Sequence, residues 1–278
     1  MTCISPEAAD PYAALLPEVI ALAQSSGARI RELFTPGARI LDRTTLLAAY
    51  ERVEAVSAEG LREALALLRP GARWLDDDPE SHRSTETRAG EWWVVDGVEG
   101  AVNFIHGVPE FSVNITLLLD NLPVLAVVHQ PVEDHTYSAV HGHGATLNGK
   151  PVAGSDKTDL AMSIVTTSQA GGTADLNRRT AAAINTMFDH ALAVRQTVPS
   201  TFPLLAVAAG HHDLFWRFGP DLPAVAPGAL IAAQAGATVT DLHGNPWTAG
   251  STDIVVAPPA LHPTALALLR DPQAALDA

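Results

Sequence analysis

The spacing of apolar residues near the start of the chain predicts helices. Between residues 12 and 34 apolar side chains recur at the three- and four-residue intervals of one helix face, and the run stops at Pro36-Gly37. The same spacing returns between residues 45 and 69 and stops at Pro70-Gly71. The pattern therefore predicts two opening helices, each ended by a proline–glycine pair.

Short apolar runs come next and indicate β-strands. They cover residues 92–95, 113–119, 124–130 and 135–140. The turns between them are rich in Asp, Asn and Pro, which favour chain reversals. Strands that follow one another so closely favour an antiparallel meander.

From about residue 160 strand-like and helix-like patterns alternate. The predicted strands are 163–167, 192–198, 213–217, 238–241 and 253–257, and the predicted helices are 174–189, 202–210, 224–236 and 261–270. Such alternation is typical of an α/β arrangement. We therefore divide the chain into an N-terminal α+β half (1–155) and a C-terminal α/β half (156–278).

Composition narrows the class of protein. The chain has 278 residues, 47% of them hydrophobic, which is enough for a large core. Its net charge of −14 argues against nucleic acids and anionic membranes as partners, and points to a small-molecule substrate. Cys3 is the sole cysteine, and the first residues lack the basic and apolar regions of a signal peptide. We therefore expect a cytoplasmic protein.

The segment from Trp93 to Phe104 carries the strongest candidate chemistry. An apolar run ends on Asp96, and Glu99 follows three residues later in a glycine-flanked turn. Two carboxylates and an exposed backbone carbonyl, that of Val98, are hard oxygen ligands that suit Mg²⁺. The alternative is an ordinary strand-to-loop turn with two solvated acids, the commoner case for such spacing alone.

This segment resembles the signature of the inositol monophosphatase family, W-[IV]-[IV]-D-P-[IL]-D-G-T-x-N-F. Further matching stretches follow in the family's order at 106–109, 111–113, 145–151 and 228–236. The resemblance implies an α/β layered fold, the α-β-α-β-α sandwich of the inositol monophosphatase and fructose-1,6-bisphosphatase type, as one compact unit with the site between the halves. It also implies Mg²⁺-dependent hydrolysis of small phosphomonoesters with two metal ions, and a homodimer that the apolar meander 113–140 would support.

The chain departs from the family at the implied metal ligands. Carried over residue by residue, the resemblance assigns these acidic positions to Glu51, Asp77, Asp96 and Glu99, and the last of them to Ala224. Asp77 lies in a run of three acids that is equally typical of a solvated loop. Asp221, three residues before Ala224, is the nearest substitute for the lost ligand.

The implied substrate side has also changed. Ala101 replaces a threonine that orients the attacking water, and Arg217 replaces an acid. A guanidinium favours a carboxylate or phosphate over a neutral polyol, although it could equally pair with nearby acids. Gly100, Ala101, Arg217 and Asp221 form the predicted substrate-binding set. A Ser/His/Asp triad stays open without specific support, and the eleven histidines show no metal-binding spacing.

Three functions follow from these residues. The favoured hypothesis is a repurposed enzyme in which Asp77, Asp96, Glu99 and Glu51 perform acid–base or weak one-metal chemistry on a polar or anionic metabolite. The second is a residual Mg²⁺-dependent phosphatase, and the third is a non-catalytic binding protein. In each case we expect at most one weakly bound Mg²⁺ at Asp77, Asp96, Val98 and Glu99, or none.

Overall fold

The computed structural model describes residues 11–76, 78–168 and 172–272, and its first elements are helices. They are α1 (Leu16–Leu33), α2 (Arg43–Ala58) and α3 (Leu61–Leu68). The long second helix that the pattern predicts is divided in two, because Gly60 takes a left-handed φ of 69° between α2 and α3. Asp42 begins α2 by accepting a hydrogen bond from the Thr45 N–H.

Seven strands among the described residues form the first sheet, in chain order. They are β1 (Arg73–Trp74), β2 (Glu91–Glu99), β3 (Ser112–Leu119), β4 (Leu122–Gln130), β5 (His135–Val140), β6 (Ala145–Leu147) and β7 (Lys150–Pro151). β1 is parallel to β2, and the other neighbours are antiparallel, so the predicted meander is confirmed. Two short helices flank β2: α4 (Pro79–Arg83) and α5 (Ala101–Ile105).

The second sheet has five strands in the part of the chain that the structure covers. They are β8 (Ile164–Thr167), β9 (Ala193–Gln196), β10 (Leu214–Phe218), β11 (Thr238–Thr240) and β12 (Asp253–Ala257). Their order across the sheet is β11-β12-β10-β8-β9. The accompanying helices are α6 (Ala174–His190), α7 (Thr201–Ala208), α8 (Leu222–Gln234) and α9 (His262–Arg270). β8 is parallel to β9 and β10, and β12 is antiparallel to β10 and β11.

Three apolar clusters stack these elements into layers. One joins α1, α2 and α3 to one face of the first sheet. The second places α7 and α8 between the two sheets, where their buried leucines, valines and alanines contact both. The third joins α6 and α9 to the far face of the second sheet. The order is therefore α-β-α-β-α, as predicted, and α8 is buried along most of its length.

Burial within the chain bears on two further expectations. The meander strands β3 and β4 are almost wholly buried within the chain, and the homodimer stays a prediction. No helix in the described ranges is both long and apolar enough to cross a bilayer. Cys3 lies outside the described residues.

Candidate active site

A β-bulge in β2 brings the two acids of the motif to one face of the first sheet. Asp96 pairs with Asn114 on β3 and Glu99 pairs with Ser112, so three steps along β2 match two steps along β3. Partners two residues apart on a strand share a face, and the bulge therefore turns both carboxyls the same way. Without the bulge, residues three apart would point to opposite faces.

The carboxyls of Asp96 and Glu99 share a hydrogen bond, and both are perturbed. Burial, followed by the nearby Glu54 carboxylate, raises the pKa of Asp96 to about 7. Burial and the charges of Asp96 and Asp221 raise the pKa of Glu99 well above its usual range. The shared bond lowers the pKa of Asp96 and raises that of Glu99, which favours Glu99 as the donor in this bond.

The helix α2 supplies Glu54, which sequence reasoning missed, to this site. Glu54 and Asp96 line one cleft, together with residues of α2, α3, α4 and the β1–β2 region. Glu51, the predicted acid on the same helix, is exposed and does not line that cleft. The close approach of α2 requires Gly97, because a Cβ there would lie 2.3 Å from Ser57 Oγ.

Arg217 lies inside the site and not on an open substrate wall. Its guanidinium is buried on β10, where Nη2 donates to Asp221 Oδ2 at 2.9 Å and Nη1 donates to the Gly219 carbonyl. Burial lowers the pKa of Arg217, while Asp221 and then Glu99 oppose that shift. The second interpretation of Arg217, pairing with a nearby acid, therefore describes this contact.

The remaining wall is a hydroxyl and amide network between the sheet and the central helices. Asn114 Nδ2 donates to Thr201 Oγ1 at 2.8 Å, and Thr201 Oγ1 donates to the Ala224 carbonyl at 2.7 Å. Ser112 Oγ donates to Asn114 Oδ1 at 2.9 Å. Thr201 Oγ1 also lies 3.5 Å from Glu99 Oε1. The network fixes the buried Glu99 side chain against α7 and α8.

The other predicted positions surround this cluster. Gly100 precedes α5 with a φ of 91°, where a Cβ would meet the Glu110 carbonyl at 2.7 Å, and Ala101 begins that helix. The buried Val98 donates its N–H to Asp96 Oδ1 at 2.9 Å. Ala224 is buried one turn after Asp221, on the same side of α8. Asp77 lies outside the described residues.

Serine and histidine side chains take other partners. Ser112 bonds Asn114, and Ser200 Oγ donates to Ser168 Oγ at 3.1 Å. His129 bonds Thr136, and His262 bonds Thr240. Over residues 11–76, 78–168 and 172–272 no serine–histidine–aspartate arrangement follows from these contacts.

The carboxylates of the site determine whether the two Mg²⁺ ions that the family resemblance implies could bind. Glu54 and Asp96 face one cleft and could hold a single hard cation. The other side of the cluster offers Asp221, but its carboxylate already binds a guanidinium, and Ala224 offers no ligand. Among the described side chains, no three His, Cys, Asp or Glu residues converge as a metal-binding group. A second ion therefore does not fit the side chains that the structure describes.

Comparison with known proteins agrees with the fold and with the motif. Residues 15–274 match the profile of the inositol monophosphatase family. This chain belongs to that family. The predicted resemblance, which rested on the Trp93–Phe104 signature, is thereby confirmed.

Individual relatives support the same assignment. Inositol monophosphatase 1 of Solanum lycopersicum is 33% identical over 172 residues, 61% of this chain and 63% of the relative. Inositol-1-monophosphatase of Rhizobium meliloti (strain 1021) is 32% identical over 199 residues, 69% of this chain and 72% of the relative. The matches to three tomato relatives span only 63%, 58% and 58% of those proteins.

A solved structure shows the shared fold over nearly the whole chain. The inositol monophosphatase from Anabaena (Nostoc) sp. PCC 7120 superposes with a TM-score of 0.76 at 22% identity. The match covers 95% of this chain and 99% of that chain. The layered architecture is therefore that of the inositol monophosphatases.

Proposed function

We propose that the protein is an enzyme of small-molecule metabolism that uses the hydrogen-bonded carboxyls of Asp96 and Glu99 for proton transfer on a polar or anionic metabolite. The observation that carries this proposal is the hydrogen-bonded pair of carboxyls, turned to one face of the sheet by the β-bulge, with Asp96 lining a cleft. Acid–base catalysts work best when their pKa lies near the working pH, and the pKa of Asp96, about 7, meets that condition.

The two carboxyls have separate roles in this mechanism. Asp96 lines the cleft and is the base that takes a proton from bound water or from a substrate hydroxyl. Glu99 is more deeply buried, and holds its proton in the hydrogen bond to Asp96, where it stabilises the ionised form of its neighbour. Thr201 and Asn114 keep Glu99 in place during the exchange.

The cleft indicates the kind of molecule that would bind. Its walls combine apolar and aromatic side chains, including Trp74, with the polar side chains of Arg62 and His82. The Arg62 guanidinium stacks over the Trp74 ring at 4.7 Å from its centroid. A polar metabolite that also presents an apolar face would suit this lining.

Residual phosphatase activity is the second candidate, and the Glu54–Asp96 pair favours it. These residues, with Glu99 and the proposed ligands Asp77 and Val98, would hold one Mg²⁺, which would polarise a phosphate oxygen when bound. The relatives named inositol monophosphatase support this candidate too. A non-catalytic binding protein is the third candidate, and absence of turnover for every ligand would favour it.

Ligand screening followed by turnover assays separates these functions. Phosphorylated and carboxylated metabolites are screened by thermal shift, and each ligand found is assayed with Mg²⁺ and with EDTA. Turnover that persists in EDTA, increases with pH through about 7 and is lost in Asp96→Asn supports the proposal. Turnover abolished by EDTA supports the phosphatase, and binding without turnover under either condition contradicts both enzymes.

A further inference from the structure

Arg217 is a charged side chain held in the interior by several contacts. Only 6% of its side chain is exposed, and the partner carboxylate of Asp221 is 33% exposed. Nη1 and Nη2 bond the Gly219 carbonyl and Asp221, while Nε is buried without a hydrogen-bond partner. Burying a guanidinium is costly unless acids compensate its charge. Its position therefore depends on the surrounding carboxyls.

Those carboxyls include the proposed reaction site. Asp221 makes the ion pair with the guanidinium. Glu99 interacts electrostatically with both Asp221 and Arg217, and Asp96 interacts with Asp221. The guanidinium carries one fixed positive charge beside these carboxyls and is paired directly with Asp221. A divalent ion placed between Glu99 and Asp221 would then sit beside a fixed cation and compete with it for the same carboxylate.

We propose that the Arg217 guanidinium is the resident cation of this cluster and excludes a divalent ion from the Glu99–Asp221 side of the site. The contacts to Asp221 and Gly219 hold it at the end of β10, where it cannot swing out as a surface arginine would. The inference concerns cation binding alone, and it holds whichever of the reactions proposed above proves correct.

Removal of the guanidinium tests the proposal directly. Mn²⁺ binding to the full chain is counted by electron paramagnetic resonance of the free ion, and the melting temperature is measured with and without Mn²⁺. We expect the parent to bind at most one ion. Arg217→Met should bind an additional Mn²⁺. Its dissociation constant should be at least about tenfold below that of any second ion on the parent, since nearby charges shift ionic equilibria by ~1–3 log units.

Two further variants identify charge as the cause. Arg217→Lys keeps the positive charge and should bind no more Mn²⁺ than the parent. Arg178→Met removes an exposed arginine that also pairs with an acid, Asp175, and should leave Mn²⁺ binding unchanged. If Arg217→Lys gains the additional ion as Arg217→Met does, or if Arg217→Met gains none while folded, the proposal is wrong.

A variant that keeps Arg217 decides the case if Arg217→Met does not fold. Ala224→Asp adds a carboxylate on the Asp221 side of α8, where the guanidinium can pair with it. We expect Ala224→Asp alone to bind no additional Mn²⁺. Binding of a second ion by Ala224→Asp, with Arg217 in place, would overturn the inference.

Discussion

Helix α2 and the bulge of β2 are in contact at Gly97, and a single methyl group there should destabilise the fold. A Cβ at Gly97 would lie 2.3 Å from Ser57 Oγ and 2.7 Å from Ser57 Cβ. Rotating the Ser57 hydroxyl would relieve the first contact but not the second. The Ser57 carbonyl accepts a bond from Ser26 Oγ at 2.8 Å, so the end of α2 is held in place on its other side.

Two effects of Gly97→Ala oppose each other, and their magnitudes decide the sign. Alanine restricts the unfolded chain, which stabilises by ~0.4–1 kcal/mol where the native backbone allows it. Gly97 does not have a left-handed φ, so this gain applies. Overpacking costs ~1–3 kcal/mol. The clash should therefore dominate. Gly97→Ala should lower the free energy of unfolding by ~1–2 kcal/mol, and the melting temperature should fall by ~2–4 °C per kcal/mol.

A double-mutant cycle with Ser57 measures the clash. Ser57→Gly removes both clashing atoms at a cost of ~1 kcal/mol from the helix. In that background Gly97→Ala should be neutral or stabilising, which gives a coupling of ~1–3 kcal/mol in urea unfolding. The control is Gly71→Ala, where a Cβ would meet nothing within 4 Å. Additivity within ~0.5 kcal/mol would refute the steric reasoning.

Three further predictions test the site and the assembly. Because the folded-state pKa of Asp96 is about 7 against ~3.9 unfolded, stability should fall as pH rises between these values. Asp96→Asn should reduce that fall in urea unfolding at pH 5 and 8 and leave the contribution of the buried Glu99; an equal fall in the variant would contradict it. Glu54→Gln should lower the pKa of Asp96, followed by carboxyl NMR, whereas Glu51→Gln should not; equal effects would contradict the assignment. Light scattering should give more than the monomer mass of 29.2 kDa, and the monomer mass itself would exclude the predicted dimer.

Much of the fold could be predicted from the pattern of apolar residues. The strands of the meander and the helices of the second half have strong periodicity, and the structure has them within a few residues of the predicted bounds. The elements that the pattern did not predict are short: β1 and β7 have two residues each, β6 has three, and α4 and α5 have five each. Periodicity cannot be recognised over a single turn or a pair of residues.

The site was harder to predict because it depends on side-chain direction. Glu51 and Glu54 lie on one helix, but successive residues turn by about 100°. Val53 and Ser57 are the buried positions of α2, so Glu51 points almost opposite to Val53 while Glu54 flanks Ser57. The buried face of the helix, read from its apolar residues, is the signal that could have favoured Glu54. The pairing of Arg217 with Asp221 depends on the loop after β10, and no sequence spacing indicates it.

Two departures from the family signature change the charge of the site in the same direction. Ala224 stands where the resemblance implies an acid, which removes a negative charge, and Arg217 replaces another acid with a positive one. Because the guanidinium is buried beside Asp221 and near Glu99, its charge acts where solvent screens it little. The site thereby acquires from its own side chains the positive charge that a second Mg²⁺ would otherwise bring. Because proton transfer through Asp96 and Glu99 needs no such ion, these two departures support the carboxyl-pair chemistry that we propose over a two-metal centre.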